Sequence, residues 1–205
     1  MLELRHATPI ASGQHRLVYQ HPHEPDFLVK VMRAEELEAH RRAPWYRRLA
    51  RTGPYRGYLR ELKEYLASRC ASDGVSPLAR VVGLAETDLG PGLVVEKVYG
   101  ADGGLAPNLD SWVRRDGFTA EIQAAMDTLL AQLLEHDVIA ADLHAWNLVY
   151  GSDSQGGTRL VMIDGFGEKN MIPHCSMNRR HNASRTRHKF RRMLARTRAT
   201  PRSAE

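Results

Sequence analysis

The densest run of chemically able side chains lies between residues 140 and 167. Ala140-Ala-Asp142-Leu-His-Ala-Trp-Asn147 follows a long apolar segment of helical spacing and precedes a short strand candidate. A loop with aspartate and asparagine five residues apart can turn both side chains into one cleft. There a carboxylate can meet a substrate hydroxyl and an amide oxygen can meet a metal. Next comes Leu160-Val-Met-Ile-Asp164-Gly-Phe-Gly167, a hydrophobic strand ending in aspartate and glycine. The strand fixes the carboxylate, and the glycines let the chain turn away from it. Phosphoryl transfer needs few parts: a cation for the phosphates, oxygens for magnesium, and a carboxylate to orient the attacking hydroxyl and take its proton. The sequence holds a candidate for each.

A single Asp-x-x-x-x-Asn arises by chance in many proteins. The pair followed, across a hairpin, by strand–Asp–Gly is much more specific. With these motifs the chain resembles the protein-kinase-like superfamily and, within it, the YrbL family of bacterial PhoP-regulated kinase-like proteins. The matching segments are IASGQHRLVYQHP, FLVKVM, RELKEYL, ETDLGPGLVVE, DLHAWNLV and VMIDGFG, running from about residue 8 to residue 167, some four-fifths of the chain. The resemblance implies an α+β, protein-kinase-like two-lobed fold with a shortened C-terminal lobe. It also implies ATP and Mg2+ as cofactors and γ-phosphoryl transfer to a hydroxyl acceptor that it leaves unidentified.

Specific roles follow from the same resemblance. Lys30 matches the lysine that holds the nucleotide α- and β-phosphates, and Glu61 the helix glutamate that pairs with it. Glu64 is the rival for that pairing. Helical geometry favours Glu61, about 100° from the Leu62 stripe, over Glu64, roughly 160° away. Asp142 matches the catalytic base, and Asn147 and Asp164 match the magnesium ligands. Gly13 falls in the loop that would cover the phosphates. Glu96–Val98 falls at the adenine-binding hinge, where backbone groups of Glu96 and Val98 do the binding.

The elements that must position these residues are legible in outline. Short strands are expected at Leu2–Arg5 and Arg16–Tyr19, and a stronger one at Phe27–Met32. A polar helical stretch at Glu35–Ala50 breaks near Pro44. An amphipathic helix at Tyr58–Arg69 carries Leu59, Leu62 and Leu66 at helical spacing. Strands at Ala79–Ala85 and Leu93–Val98 flank the turn that begins at Asp88. Helices follow at Leu109–Arg115 and, capped by Thr119, at Thr119–His136. Strands at Leu148–Tyr150 and Leu160–Ile163 enclose a hairpin loop in SDSQGG. The expected organisation is an N-terminal lobe over 1–99, a truncated helical lobe with the catalytic loop over 100–175, and a basic tail over 176–205.

Several features depart from an ordinary kinase. Ala140-Ala141 stands where His-Arg is usual, the three-glycine loop is reduced to Gly13, and the aspartate motif reads Asp-Gly-Phe-Gly. The usual substrate-docking half of the large lobe is missing. Singly, each site residue has an ordinary explanation. Lys30 can be an edge lysine, Glu61 a solvated helix charge, Asp142 and Asn147 turn residues, Asp164 a strand end and Gly13 a hairpin glycine. His144 reads as a packing or hydrogen-bonding residue.

The 205 residues carry a formal net charge of +5, concentrated after Asn170 in ten arginines and lysines. That tail has three readings: a helix packed on the large lobe, a binder of nucleic acid or an anionic lipid head group, or a disordered segment. Non-catalytic alternatives are a pseudokinase that binds a partner and a nucleic-acid-binding module driven by the tail. Cys70 and Cys175 read as reduced structural thiols, with a disulfide between them left open. No apolar run approaches the roughly 18 residues of a transmembrane span, and the start lacks a signal-peptide layout, so the expected location is cytoplasmic.

Overall fold

The computed structural model describes residues 1–45, 52–168 and 174–202. They form two compact units, the first from Met1–Leu62 and Arg80–Lys97, the second from Lys63–Ala79 and Val98–Glu205.

The first unit is built on an antiparallel sheet. Its strands are β1 (Ala11–Ser12), β2 (Arg16–Gln20) and β3 (Phe27–Met32), then, after helices α1 (Ala34–Arg42) and α2 (Arg56–Ala71), β4 (Val81–Thr87) and β5 (Gly90–Glu96). The spatial order is β1-β2-β3-β5-β4. β3 is therefore central, and its near-continuous apolar run suits burial on both faces: Leu28 to Met32 are all buried, Lys30 included. Lys30 pairs with Val18 on one side and Leu93 on the other. It is not an edge lysine.

Helix α1 stops at Arg42, and Ala43 before Pro44 is extended, as a residue preceding proline must be. Residues 46–50 of the expected helical stretch lie outside the described residues. The strand expected at Leu2–Arg5 does not form. Only Leu2 bridges to Thr87, while the amides of Leu4 and Arg5 donate to the Asp88 carboxylate at 2.8 and 3.0 Å. A side chain has taken the amides that a ladder would need.

Helix α2 runs from the first unit into the second, the division falling between Leu62 and Lys63. Its buried face is the reverse of the expected one. Leu59 and Leu66 are exposed, whereas Tyr58, Glu61, Glu64 and Ser68 are buried. Both sets have helical spacing, so periodicity alone could not separate them; the buried set wins because each polar member has a partner inside.

The second unit holds α3 (Leu109–Asp116), α4 (Ala120–Glu135), the hairpin β6 (Leu148–Asp153) and β7 (Gly156–Met162), the short α5 (His174–Met177) and α6 (Arg179–Arg198). Side chains of Asn108, Thr119 and Asn178 cap α3, α4 and α6 by accepting backbone N–H bonds. Ile122, Met126, Leu129 and Leu133 of α4 pack with Trp112, Leu148, Leu160, Met162 and Phe166 in one core. Phe190 and Met193 of α6 belong to that core. The basic tail is thus an ordered helix, and its arginines ride on a buried stripe of Asn182, Thr186, Phe190, Met193 and Thr197. Cys70 is exposed and Cys175 buried, both as free thiols. Among the described residues, no helix is long and apolar enough to cross a membrane.

If α6 is part of the core, Phe190→Ala should cost about 3 kcal/mol of stability, as truncation of a buried phenylalanine does, while Leu66→Ala should change it by less than about 0.5 kcal/mol. Urea unfolding of the full chain checks both. Equal effects would place α6 outside the cooperative structure.

Candidate functional site

In the first unit, the residues of interest cluster on Glu61. Its carboxylate lies 3.5 Å from Lys30 Nζ, and Arg16 Nη1 donates to its other oxygen. Glu61 and Lys30 are both buried. The arginine guanidinium also stacks over the Tyr58 ring at 5.1 Å, and the Tyr58 hydroxyl donates to the Lys30 carbonyl at 2.8 Å. A Cβ at Gly57 would collide with Arg16 Nη2, so glycine there gives the guanidinium its place. Burying a lysine and a glutamate is costly unless they are paired, and here two cations share one carboxylate.

Glu64 does not compete for Lys30. It is buried in the second unit, and its carboxylate accepts the Ile139 amide at 2.7 Å. Burial pushes its carboxyl up to about 7, opposed by the hydrogen bond from Ile139 and reinforced by Asp137 and Glu168. The pairing of Glu61 with Lys30 is as expected, although the leucine stripe used as its reference is solvent-facing.

The segment that leads to Asp142 is held by side chains from elsewhere in the second unit. Asn182 donates to the carbonyls of Asp137 and Val138 at 3.0 and 3.2 Å. Lys189 Nζ donates to those of Ala140 and Ala141 at 2.7 and 2.8 Å. With Glu64 on the Ile139 amide, consecutive peptide groups from 137 to 141 are bound one after another. The alanines that stand in place of His-Arg are therefore supported through their backbone, by a lysine from the tail helix.

Beyond this segment, Asp142, Asn147 and Asp164 form one hydrogen-bonded assembly. The Asp142 amide donates to Gly165 O at 2.7 Å, and Asn147 Nδ2 donates to Asp142 O at 3.0 Å. Ile163 N donates to Asn147 O at 2.9 Å, and Gly165 N donates to Asp164 Oδ1 at 2.6 Å. Gly165 has φ +81°, and a Cβ there would lie 2.6 Å from Asp142 O and 2.7 Å from Asn147 Nδ2. Glycine directly after Asp164 is thus required by the approach of two strands of chain, which accounts for Asp-Gly-Phe-Gly. His144 caps the short helical turn Ala145–Asn147, its Nδ1 accepting from Trp146 N at 3.4 Å.

The remaining expected residues have plainer settings. Gly13 sits in the β1–β2 turn, where its amide donates to Arg16 O, and a Cβ would meet only that oxygen at 3.6 Å. The protein itself does not demand glycine there. Glu96 is buried, with its N–H donating to Arg80 O at 2.9 Å. Val98 is buried, its carbonyl accepting from Ala106 N at 3.0 Å.

The family model described as PhoP regulatory network protein YrbL matches residues 2–198. The chain belongs to this family. Two YrbL relatives, each named "Uncharacterized protein YrbL", come from Escherichia coli (strain K12) and Shigella flexneri. Each is 24% identical over 177 residues, covering 84% of this chain and 77% of the relative. Among solved structures, the kinase domain of Mycobacterium tuberculosis PknI, as a double mutant, is similar with a TM-score of 0.45 and 17% identity over 77% of this chain. The chain spans 56% of the length of that kinase domain.

Sequence reasoning missed Arg16, Asn182 and Lys189, and it set Glu64 aside as the rival of Glu61 without finding its partner, the Ile139 amide. A signal existed for α6: Asn182, Lys189 and Phe190 fall within the helical spacing of its buried stripe.

Two measurements follow. Lys189→Met should cost roughly 2–3 kcal/mol, because two carbonyls lose a charged donor. A change within about 0.5 kcal/mol by urea unfolding would deny the lysine this supporting role. Glu64 makes stability depend on pH. Below its ordinary value of 4.5 it is protonated in both states; between 4.5 and about 7 the unfolded chain ionises it while the folded protein keeps the proton. Its contribution therefore lowers stability as pH rises through that window and is flat above it. Glu64→Gln can still accept from Ile139 and should gain on wild type by roughly 2–3 kcal/mol between pH 4.5 and 8. A pH-independent difference would contradict the raised value.

Proposed function

We propose that this protein is a magnesium- and ATP-dependent phosphotransferase of the protein-kinase-like superfamily, acting in the cytoplasm on a hydroxyl acceptor. The observation that carries the reading is the assembly of Asp142, Asn147 and Asp164 around Gly165. Such an assembly would set a carboxylate base beside oxygen ligands, as phosphoryl transfer needs. The donor set fits a hard cation: Asn147 turns its amide nitrogen to Asp142 O, leaving its oxygen to face the other way, and Asp164 supplies a carboxylate whose Oδ1 accepts from Gly165 N.

Asn147 and Asp164 would hold magnesium. Lys30 would hold the α- and β-phosphates, with Glu61 beside it to orient its ammonium group. Adenine recognition would fall to backbone groups at Glu96 and Val98. Gly13 would lie in the loop over the phosphates. Bound magnesium–ATP would supply the γ-phosphoryl group and neutralise charge on the phosphates. Asp142 would orient the acceptor hydroxyl and take its proton as the new oxygen–phosphorus bond forms.

The second reading is a non-catalytic pseudokinase. The β1–β2 turn favours it, since a single glycine remains there and the fold does not demand it. A tail acting alone as a nucleic-acid module is disfavoured by the burial of Phe190 and Met193.

Thermal unfolding with ATP, with and without magnesium, tests the nucleotide site. Wild type and Asp142→Asn should show a magnesium-dependent rise in midpoint, and Asp164→Ala should lose it. Label transfer from γ-labelled ATP should fall about 10²-fold or more in Asp142→Asn. Equal nucleotide affinity in wild type and Asp164→Ala would sink the assignment. A magnesium-dependent shift with no hydrolysis or transfer in wild type would establish the pseudokinase instead.

A further inference from the structure

A cavity of about 270 Å³ opens beside Asp142, entirely within the second unit, between the catalytic-loop segment Ala141–Ala145 and the C-terminal half of α6. Its wall carries Asp110, Asp142 and His144 together with Lys189, Arg192 and Arg196. We propose that this cavity is the acceptor site and that it takes a small hydroxyl compound bearing a phosphate-type anion, held by Arg192 and Arg196. The identification as acceptor site rests on the phosphotransferase reading; the anion site does not.

The chemistry of the wall divides by charge. Asp142 is exposed, and Asp110 already pairs with Arg114 at 2.6 Å. Lys189 is engaged with two backbone carbonyls. Arg192 and Arg196 are exposed and have no ion-pair partner among the described residues. Four residues apart on one helix, they are neighbours on its surface, and like charges so placed repel by a few tenths of a kcal/mol. Helix α6 contains no acidic residue to compensate them. An anion with several acceptor oxygens would, because guanidinium groups match phosphate geometry.

The same division orients the ligand. An anionic group is repelled by the carboxylate of Asp142 and drawn to the arginines, which leaves the neutral hydroxyl end for Asp142. In the reaction the hydroxyl oxygen bonds to the γ-phosphorus, the bond from that phosphorus to the ADP oxygen breaks, and the hydroxyl proton passes to Asp142. The volume lies just below the roughly 300 Å³ at which drug-sized ligand sites begin, and suits a sugar phosphate or a phosphorylated polyol rather than a protein segment. A lipid head group offers the same chemistry and is separated by experiment.

The test uses the full chain and measures thermal midpoint against inorganic phosphate, glucose 6-phosphate and glucose. Wild type should respond saturably to the two phosphates and not to glucose. Arg192→Ala/Arg196→Ala should weaken that response at least tenfold. Arg187→Ala/Arg191→Ala, which removes the same charge from exposed positions that do not line the cavity, should keep it. Asp164→Ala should also keep it, while losing the magnesium–ATP response. Phosphotransfer can thus fail with the anion site intact, and the reverse. No saturable phosphate response, or one indifferent to Arg192 and Arg196, overturns the proposal. Cosedimentation with phosphatidylglycerol but not phosphatidylcholine vesicles, dependent on the same two arginines and exceeding the free-phosphate response, would assign the anion to a lipid head group. Arginine-dependent binding of single-stranded RNA tighter than of either phosphate, with steep salt dependence, would overturn the small-molecule site.

Discussion

The peptide groups from Asp137 to Asp142 run beside a hydrophobic core, and each buried polar group there must find a partner. An unpaired buried donor or acceptor costs about 1–3 kcal/mol, so this segment could not be left unsatisfied in a fold of ordinary stability. Neighbouring chain supplies some partners: Gly167 N binds Ile139 O, and Asp142 N binds Gly165 O. The others are side chains, Asn182, Glu64 and Lys189. The position of Asp142 is the sum of these bonds. Each fixes the path of the chain just before the loop, and the loop has little freedom left when it reaches its carboxylate.

This arrangement explains why Ala140 and Ala141 are tolerated. Small side chains at these positions let Lys189 approach two successive carbonyls, which bulkier residues would shield. The support comes from the tail helix and not from side chains of the loop itself. Glu64 bears the opposite kind of cost. It is a carboxylate kept out of water, with Asp137 and Glu168 adding to its discomfort, and it is retained for one amide bond.

What could be read in advance was what depends on local pattern. The run FLVKVM, the Thr119 cap and the Asp-Gly turn after a strand all carry their conformational reasons in adjacent residues. Asp142, Asn147 and Asp164 were singled out by spacing and order, and Lys30 by the family resemblance. The parts that were not legible depend on polar residues acting at long range. The α2 face could not be assigned because its buried members include two glutamates, and hydrophobic periodicity points to the leucines instead. Asp88, on an unremarkable turn, unmade the first strand by taking its amides. Of the three readings of the tail, composition could not select one because it averages over faces; the packed helix forms because one narrow stripe with Phe190 and Met193 is sufficient.

The anchors of the loop also have an order in time. Glu64 leaves the ribosome well before Ile139, but Asn182 and Lys189 emerge after the residues they bind, 45 and 49 positions earlier in the chain. Domains tend to fold as units as synthesis proceeds, and this segment has its full set of partners only once α6 is present. A nascent or truncated chain holds every residue of the Asp142–Asp164 assembly and still lacks the partners that set it. Helix α6 therefore links a competent loop to the presence of the chain through Lys189.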